Sequence, residues 1–200
     1  MRHAVTMARA RAMTGPYELH PDVHVVTSRF DPALVLQRSG HGDIVDTPAG
    51  ETYMVHLCSR PLAGIRRSVL GRETAIQKCI WGEDGWLRLH GKPIVPETSL
   101  PGPSGSATPN LEAGPERYTF DTSQGLPQDF QWLRSPLPDR LFSLSDHPGH
   151  LRLIGRESIG STFEQALVAR RQTDFDFDAE TEVDADPSSH HQMAGLVAYY

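Results

Sequence analysis

Sixteen prolines and seventeen glycines interrupt this 200-residue chain at short intervals. Proline removes a backbone donor and fixes φ, and glycine weakens any regular element it enters, so neither long helices nor long strands run through such punctuation. No stretch between the breaks carries a helical period of useful length. The pattern predicts an all-β fold of short strands and many turns. With 38% hydrophobic residues the chain can bury a core, and its length allows one large domain or two small ones.

Residues 3–9, HAVTMAR, suit a short strand that ends at the turn signal TGPY. DIVDT and ETYMVHLC flank PAG, where Gly50 supplies the positive φ of a hairpin turn. ETAIQKCIW and WLRLH, separated by GEDG, form a second hairpin. Short antiparallel strands at this spacing imply a sandwich, a barrel or a propeller blade. Residues 91–116 hold six prolines and four glycines with few apolar residues, the composition of a semi-stiff surface linker. The domain boundary is placed there: residues 1–90, the linker 91–116, and residues 117–200. Beyond it YTFDT, FQWLRSP, LFSLSD, HLRLIGR, QALVARRQ, DFDFDAETEVDAD and MAGLVAYY read as further strands.

In residues 174–184 acidic residues alternate with Phe175, Phe177, Ala179, Thr181 and Val183, the period of a strand with one core face and one wet face. The acidic row is read as a solvated face, balanced by Arg170 and Arg171, rather than as a calcium site: carboxylates two apart on a strand diverge too far for a compact oxygen cage. A net charge of −6 without a basic cluster argues against nucleic acid and anionic membranes as partners. No apolar run approaches the ~20 residues of a membrane span. The start, MRHAVTMARARAMTG, is basic but has no continuous apolar stretch, which points to the cytoplasm rather than to secretion. Cys58 and Cys79 are read as buried free thiols, with a cross-strand disulfide as the alternative.

Two polar residues stand out. His41 lies between Gly40 and Gly42, where backbone or ligand can approach closely. Arg72 opens an apolar strand. Each also has a structural reading, a hydrogen-bonded histidine and an ion-paired arginine.

HAVTMARARAMTGPYELHP, LQRSGHGDIVDTPAGETYMVHLCSRPL, LGRETAIQKCIWGEDGWLRL and FQWLRSP followed by LRLIGRES occur in this order, and together they resemble the second half of a glycoside hydrolase family 43 β-xylosidase. The resemblance implies that residues 1–90 are the last blades of a five-bladed β-propeller. It implies that residues from 117 onward begin a concanavalin-like β-sandwich. It also implies that His41 and Arg72 lie around the terminal xylose at the propeller axis. A neutral imidazole and a guanidinium fork suit that task, binding hydroxyls and orienting a carboxylate. The substrate so implied is a xylo-oligosaccharide, with arabinofuranose as a side activity; homo-oligomer formation is left open.

Inverting glycosidases need two carboxyl groups, one as acid and one as base. In the family these, and a third that tunes the acid, lie upstream of HAVT, and no acidic residue of this chain matches them. Asp43, Asp46 and Glu51 belong to the hairpin, and Glu73 is expected in a local ion pair. The chain is therefore expected to be a fragment, inactive alone, with a non-catalytic carbohydrate-binding or structural β module as the alternative. No cofactor is implied. Some relatives carry a cation near the axis beside a histidine. A single imidazole is a poor ligand set for a hard cation, so no metal is assigned.

Overall fold

The computed structural model describes residues 3–105 and 116–199. Its centre is a four-stranded antiparallel meander: β3 (Gln37–Asp46), β4 (Thr52–Ser59), β5 (Glu73–Trp81) and β6 (Leu87–Leu89), paired in chain order. The turns between them are those the sequence predicts. Gly50 at φ +77° closes the β3–β4 hairpin and Gly85 at +72° the β5–β6 hairpin. Asp84 stiffens the second turn by accepting from the Trp86 amide and by pairing with Arg88 at 2.7 Å.

Before the sheet, β1 (Ala8–Arg9) pairs with β2 (Glu18–Leu19). Val5 bridges Val26, and Val26 in turn bridges Ile94. These pieces cover one sheet face. Alternation puts Met54, His56 and Cys58 of β4 on that face, and Met54, Cys79, Leu87 and Leu89 pack there against Val25 and Val26, with Val5 and Met7 at the rim. His20 fastens the layers: its Nε2–H donates to the Leu87 carbonyl at 3.0 Å, and its Nδ1 accepts from the Asp22 amide. Cys58 and Cys79 are both buried and free. Burial in an apolar setting disfavours the thiolate and pushes the Cys79 thiol up to about 11.

The start of the Pro/Gly-rich segment is tied to the sheet. Ile94 accepts from the Thr27 amide, and the Gln77 side chain both donates to and accepts from the Glu97 backbone, at 3.0 and 2.9 Å. Glu51 accepts from the Ser104 amide at 2.7 Å. Buried backbone groups need such partners, so a segment with few apolar residues can still follow one fixed course.

After the segment lie two two-stranded pairs: β7 (Phe130–Trp132) with β10 (Val168–Arg170), and β8 (Phe142–Ser143) with β9 (Arg152–Leu153). Two 3-10 turns, Thr122–Gln124 and Pro138–Arg140, complete the described elements. Among the described residues, Leu141 and Leu167 are the buried apolar side chains of this part, a thin core. Three strand expectations fail here. Residues 118–121, 174–184 and 193–199 form no strand. In 174–184 Phe177 is 60% and Val183 49% exposed. Alternation alone does not make a strand: the ladder needs a partner to take its backbone groups, and among the described residues none lies beside this segment. The expected balancing arginines are engaged elsewhere, Arg170 with Glu116 and Tyr118, Arg171 with backbone carbonyls. Among the described residues no helix is long and apolar enough to cross a membrane.

The glycines around His41 have a steric cause. A Cβ on Gly40 would stand 2.7 Å from the Ala4 nitrogen and 2.7 Å from the His3 Cβ; one on Gly42 would stand 2.9 Å from Val5 Cγ2. The crossing of residues 3–5 over β3 therefore requires bare backbone at both positions. Gly40→Ala should destabilise the fold by about 1–3 kcal/mol through this overpacking. Gly102→Ala, which meets no atom within 4 Å, should be neutral. Urea unfolding of both variants checks the pair, and equal midpoints would contradict the steric account.

Candidate functional site

The first turn of β3 is irregular. Its register against β4 shifts between Gln37 and Gly40 and again between Gly40 and Gly42. His41 occupies the second bulge at φ +53°, and Arg38 the region of the first at +56°. Non-glycine residues in this left-handed region are strained, and bulges re-aim a side chain out of the ladder. The His41 side chain is exposed. Arg72, also exposed, directly precedes β5 and follows Gly71 at φ +68°.

The ladders fix how these two stand to each other. Gly40 and Gly42 face Leu57 and His56 of β4, while Cys58, also of β4, faces Glu73 of β5. The start of β3, the end of β4 and the start of β5 thus form one end of the sheet, with His41 and Arg72 two strand spacings (~10 Å) apart across it and offset by two to three residues (~8 Å) along it. Arg72 lines an open groove of about 250 Å³ with Leu70, Glu73, Thr74, Arg171, Gln172 and Thr173. His41 is not among its lining residues.

Glu73 stands at this end, whereas Asp46 and Glu51 flank the β3–β4 turn at the opposite end of the sheet; each of these carboxylates, and Asp43, is committed to a partner. Glu73 Oε1 accepts from Nη2 and Nε of the Arg60 guanidinium at 2.7 and 3.0 Å, and its Oε2 accepts from Nε and from the Arg60 amide, both at 3.2 Å. Glu73 was expected in a local ion pair; its partner is instead Arg60, thirteen residues away across the loop. Glu51 accepts from Lys78 at 2.6 Å, which with the Ser104 amide holds its carboxyl below the usual range. Asp46 accepts from the Thr52 hydroxyl and Asp43 from the Ile44 amide. By contrast, no ion pair among the described residues involves His41 or Arg72. No group of three or more His, Cys, Asp or Glu among the described residues is placed to hold a metal ion.

Three groups here were not singled out from sequence. His56 is 1% exposed between the two candidate residues. Its Nδ1–H donates to the Leu57 carbonyl at 3.0 Å, and its Nε2 is buried without a partner among the described residues. Burial disfavours the imidazolium and lowers its pKa. The signal was available: His56 shares parity with Met54 and Cys58, which makes it a polar residue on an apolar face. Arg171 and Phe175 reach this end of the sheet from far along the chain. Arg171 donates to the Leu70 and Arg72 carbonyls, and the Arg60 guanidinium lies 5.0 Å from the Phe175 ring centre. No local pattern in the sequence announces either contact.

Comparison with known proteins accounts for the architecture. The family model described as "Glycosyl hydrolases family 43" matches residues 1–87, and that described as "Beta xylosidase C-terminal Concanavalin A-like domain" matches residues 117–200. "Xylosidase/arabinosidase 43B" of Humicola insolens is 55% identical over 99% of this chain and 36% of its own length. "Beta-xylosidase" of Bacillus subtilis is 43% identical over 99% of this chain and 38% of its own. The crystal structure of xylan β-1,4-xylosidase from Bacillus halodurans C-125 superposes with a TM-score of 0.79 at 46% identity, covering 86% of this chain and 32% of that one. The chain thus spans little more than a third of the curated relatives it matches. Both matched segments and the all-β architecture lead to one assignment: the chain belongs to glycoside hydrolase family 43, with the last blades of a five-bladed β-propeller followed by part of a concanavalin-like β-sandwich.

Proposed function

We propose that this chain is a part of an inverting exo-glycosidase that removes terminal β-1,4-xylose from xylo-oligosaccharides, and that His41 and Arg72 bind the terminal sugar. The observation that carries the reading is their placement: two exposed polar side chains, free of ion pairs among the described residues, at one end of a blade sheet. In this reading the Arg72 guanidinium forks onto sugar hydroxyls and holds a general base ionised by its charge, while the His41 imidazole adds a hydrogen bond. The names of the relatives support xylose, and the arabinosidase in one of them supports α-L-arabinofuranose as a second substrate. The Pro/Gly-rich segment 91–116 is proposed as the join between the two units.

The acid and base of an inverting mechanism stand about 6.5–9.5 Å apart across the sugar. Asp43, Asp46, Glu51 and Glu73 each already serve a neighbour. Their engagement supports a division of labour in which this part of the fold binds sugar and carboxyl groups outside it do the proton transfers. The same observation favours a second reading, a carbohydrate-binding β module without catalysis. Xylose binding that is weakened by Arg72→Ala, in a parent protein with no glycosidase activity at all, would select it.

Two outcomes are expected. The 200-residue chain alone should not turn over aryl β-xylosides above a mock preparation, and reproducible turnover by pure chain would refute the division of labour. In the intact enzyme, Arg72→Ala should lower kcat/KM by roughly 10- to 100-fold, the loss of about 1.5–3 kcal/mol for a charge-assisted hydrogen bond. His41→Ala should cost less, about 0.5–1.5 kcal/mol for a neutral one. Steady-state kinetics on an aryl xyloside measure both, and variants that lose stability but keep their kinetics would remove both residues from the site.

A further inference from the structure

Arg171 stands one residue past β10, ninety-nine positions after Arg72. Its guanidinium donates to the Leu70 carbonyl at 3.2 Å and to the Arg72 carbonyl. These two oxygens belong to the peptide planes on either side of the Gly71–Arg72 pair. Gly71 is in the left-handed region at φ +68°, held otherwise by one long turn bond, 3.3 Å from its amide to the Ser68 carbonyl. A glycine in such a turn is the natural pivot of the backbone. Fixing the planes that flank it fixes the direction in which the Arg72 side chain leaves the chain.

A second contact acts on the other side of the same turn. The Arg60 guanidinium, which grips Glu73 at 2.7 Å, lies 5.0 Å from the centre of the Phe175 ring. A cation over an aromatic face is attracted by the ring quadrupole. Residues Arg171 to Phe175 therefore bracket Arg72–Glu73 from two directions, and the groove lined by Arg72 lies between them.

We propose that the segment Arg171–Phe175 is a positioning clamp, with Arg171 as its central residue, through which the sandwich part of the chain sets the orientation of Arg72 for sugar binding. The proposal rests on the reading of Arg72 as a sugar-binding residue. Arg171 itself touches no substrate in this account. It occupies the carbonyls that would compete for the Arg72 guanidinium, and it leaves that guanidinium free for a ligand. Both contacts are made by Nη2, whose two N–H bonds lie in the fixed guanidinium plane; a lysine ammonium on its flexible stem holds the two acceptors less firmly. The sandwich part is then a brace of the binding site and not a separable module.

The test compares Arg171→Ala and Arg171→Lys with the parent sequence by two readouts. In the 200-residue chain, amide hydrogen exchange at Gly71, Arg72 and Glu73 should rise about tenfold in Arg171→Ala, with Tyr53 and Val55 in β4 unchanged, because a local opening loses its restraint. In the intact enzyme, kcat/KM for an aryl xyloside should fall roughly 10- to 100-fold through misplacement of a binding group. Millimolar guanidinium should restore part of it, and Arg171→Lys should lie between the two. A purely structural role would give no rescue by guanidinium. Unchanged exchange at Gly71–Glu73 overturns the clamp. Faster exchange with unchanged kcat/KM, while Arg72→Ala is costly, overturns its positioning role. If Arg72→Ala is itself without effect, the sugar-binding reading fails, and the positioning role with it, even where exchange shows the contact to be real.

Discussion

The close crossing of residues 3–5 over the start of β3 is the contact on which the rest of the structure depends. It brings the first segment within 2.7–2.9 Å of where side chains would stand at Gly40 and Gly42. Two consequences follow from that approach. Val5 and Met7 reach the apolar face of the sheet, where Met54, Cys79, Leu87 and Leu89 close over Val25 and Val26. The strand also bulges twice, and His41 is turned out of the ladder at φ +53°. A histidine in a glycine frame is thus first a packing solution. Its proposed role in binding follows from the direction in which the bulge leaves it.

Much of the first half was legible in the sequence. The two hairpins appear where DIVDT–PAG–ETYMVHLC and ETAIQKCIW–GEDG–WLRLH imply them, because turn chemistry and period-two patterning are local and agree with each other. The Pro/Gly-rich composition implied a segment lying on a surface. It did not reveal the Val26–Ile94 bridge or the Gln77–Glu97 pairing, since backbone partners carry no sequence signal. The second half was less legible. Strict alternation in 174–184 records which residues prefer water, and the even-numbered acids are indeed exposed. A strand is a relation to a neighbour, however, and alternation names no neighbour. With two buried apolar side chains among its described residues, this part has little to hold an added strand.

The candidate site shows the same division. His41 and Arg72 were visible as polar residues at breaks in apolar strands, and the ladders put them at one end of one sheet. The partner of Glu73 was expected locally and proved to be Arg60, thirteen residues away across a loop. The brace from Arg171 and Phe175 was invisible because it joins a side chain to carbonyls about a hundred positions distant. Long-range contacts of this kind join the two matched segments.

The central claim is that this sheet end is the sugar-facing side of a glycosidase completed by carboxyl groups outside the chain. A crystal structure of the intact enzyme with xylobiose tests it most directly. The account predicts Arg72 and His41 both within hydrogen-bonding reach, about 2.7–3.2 Å, of the same terminal sugar ring. A sugar bound elsewhere, with Arg72 and His41 in separate surroundings and neither touching it, would contradict the account.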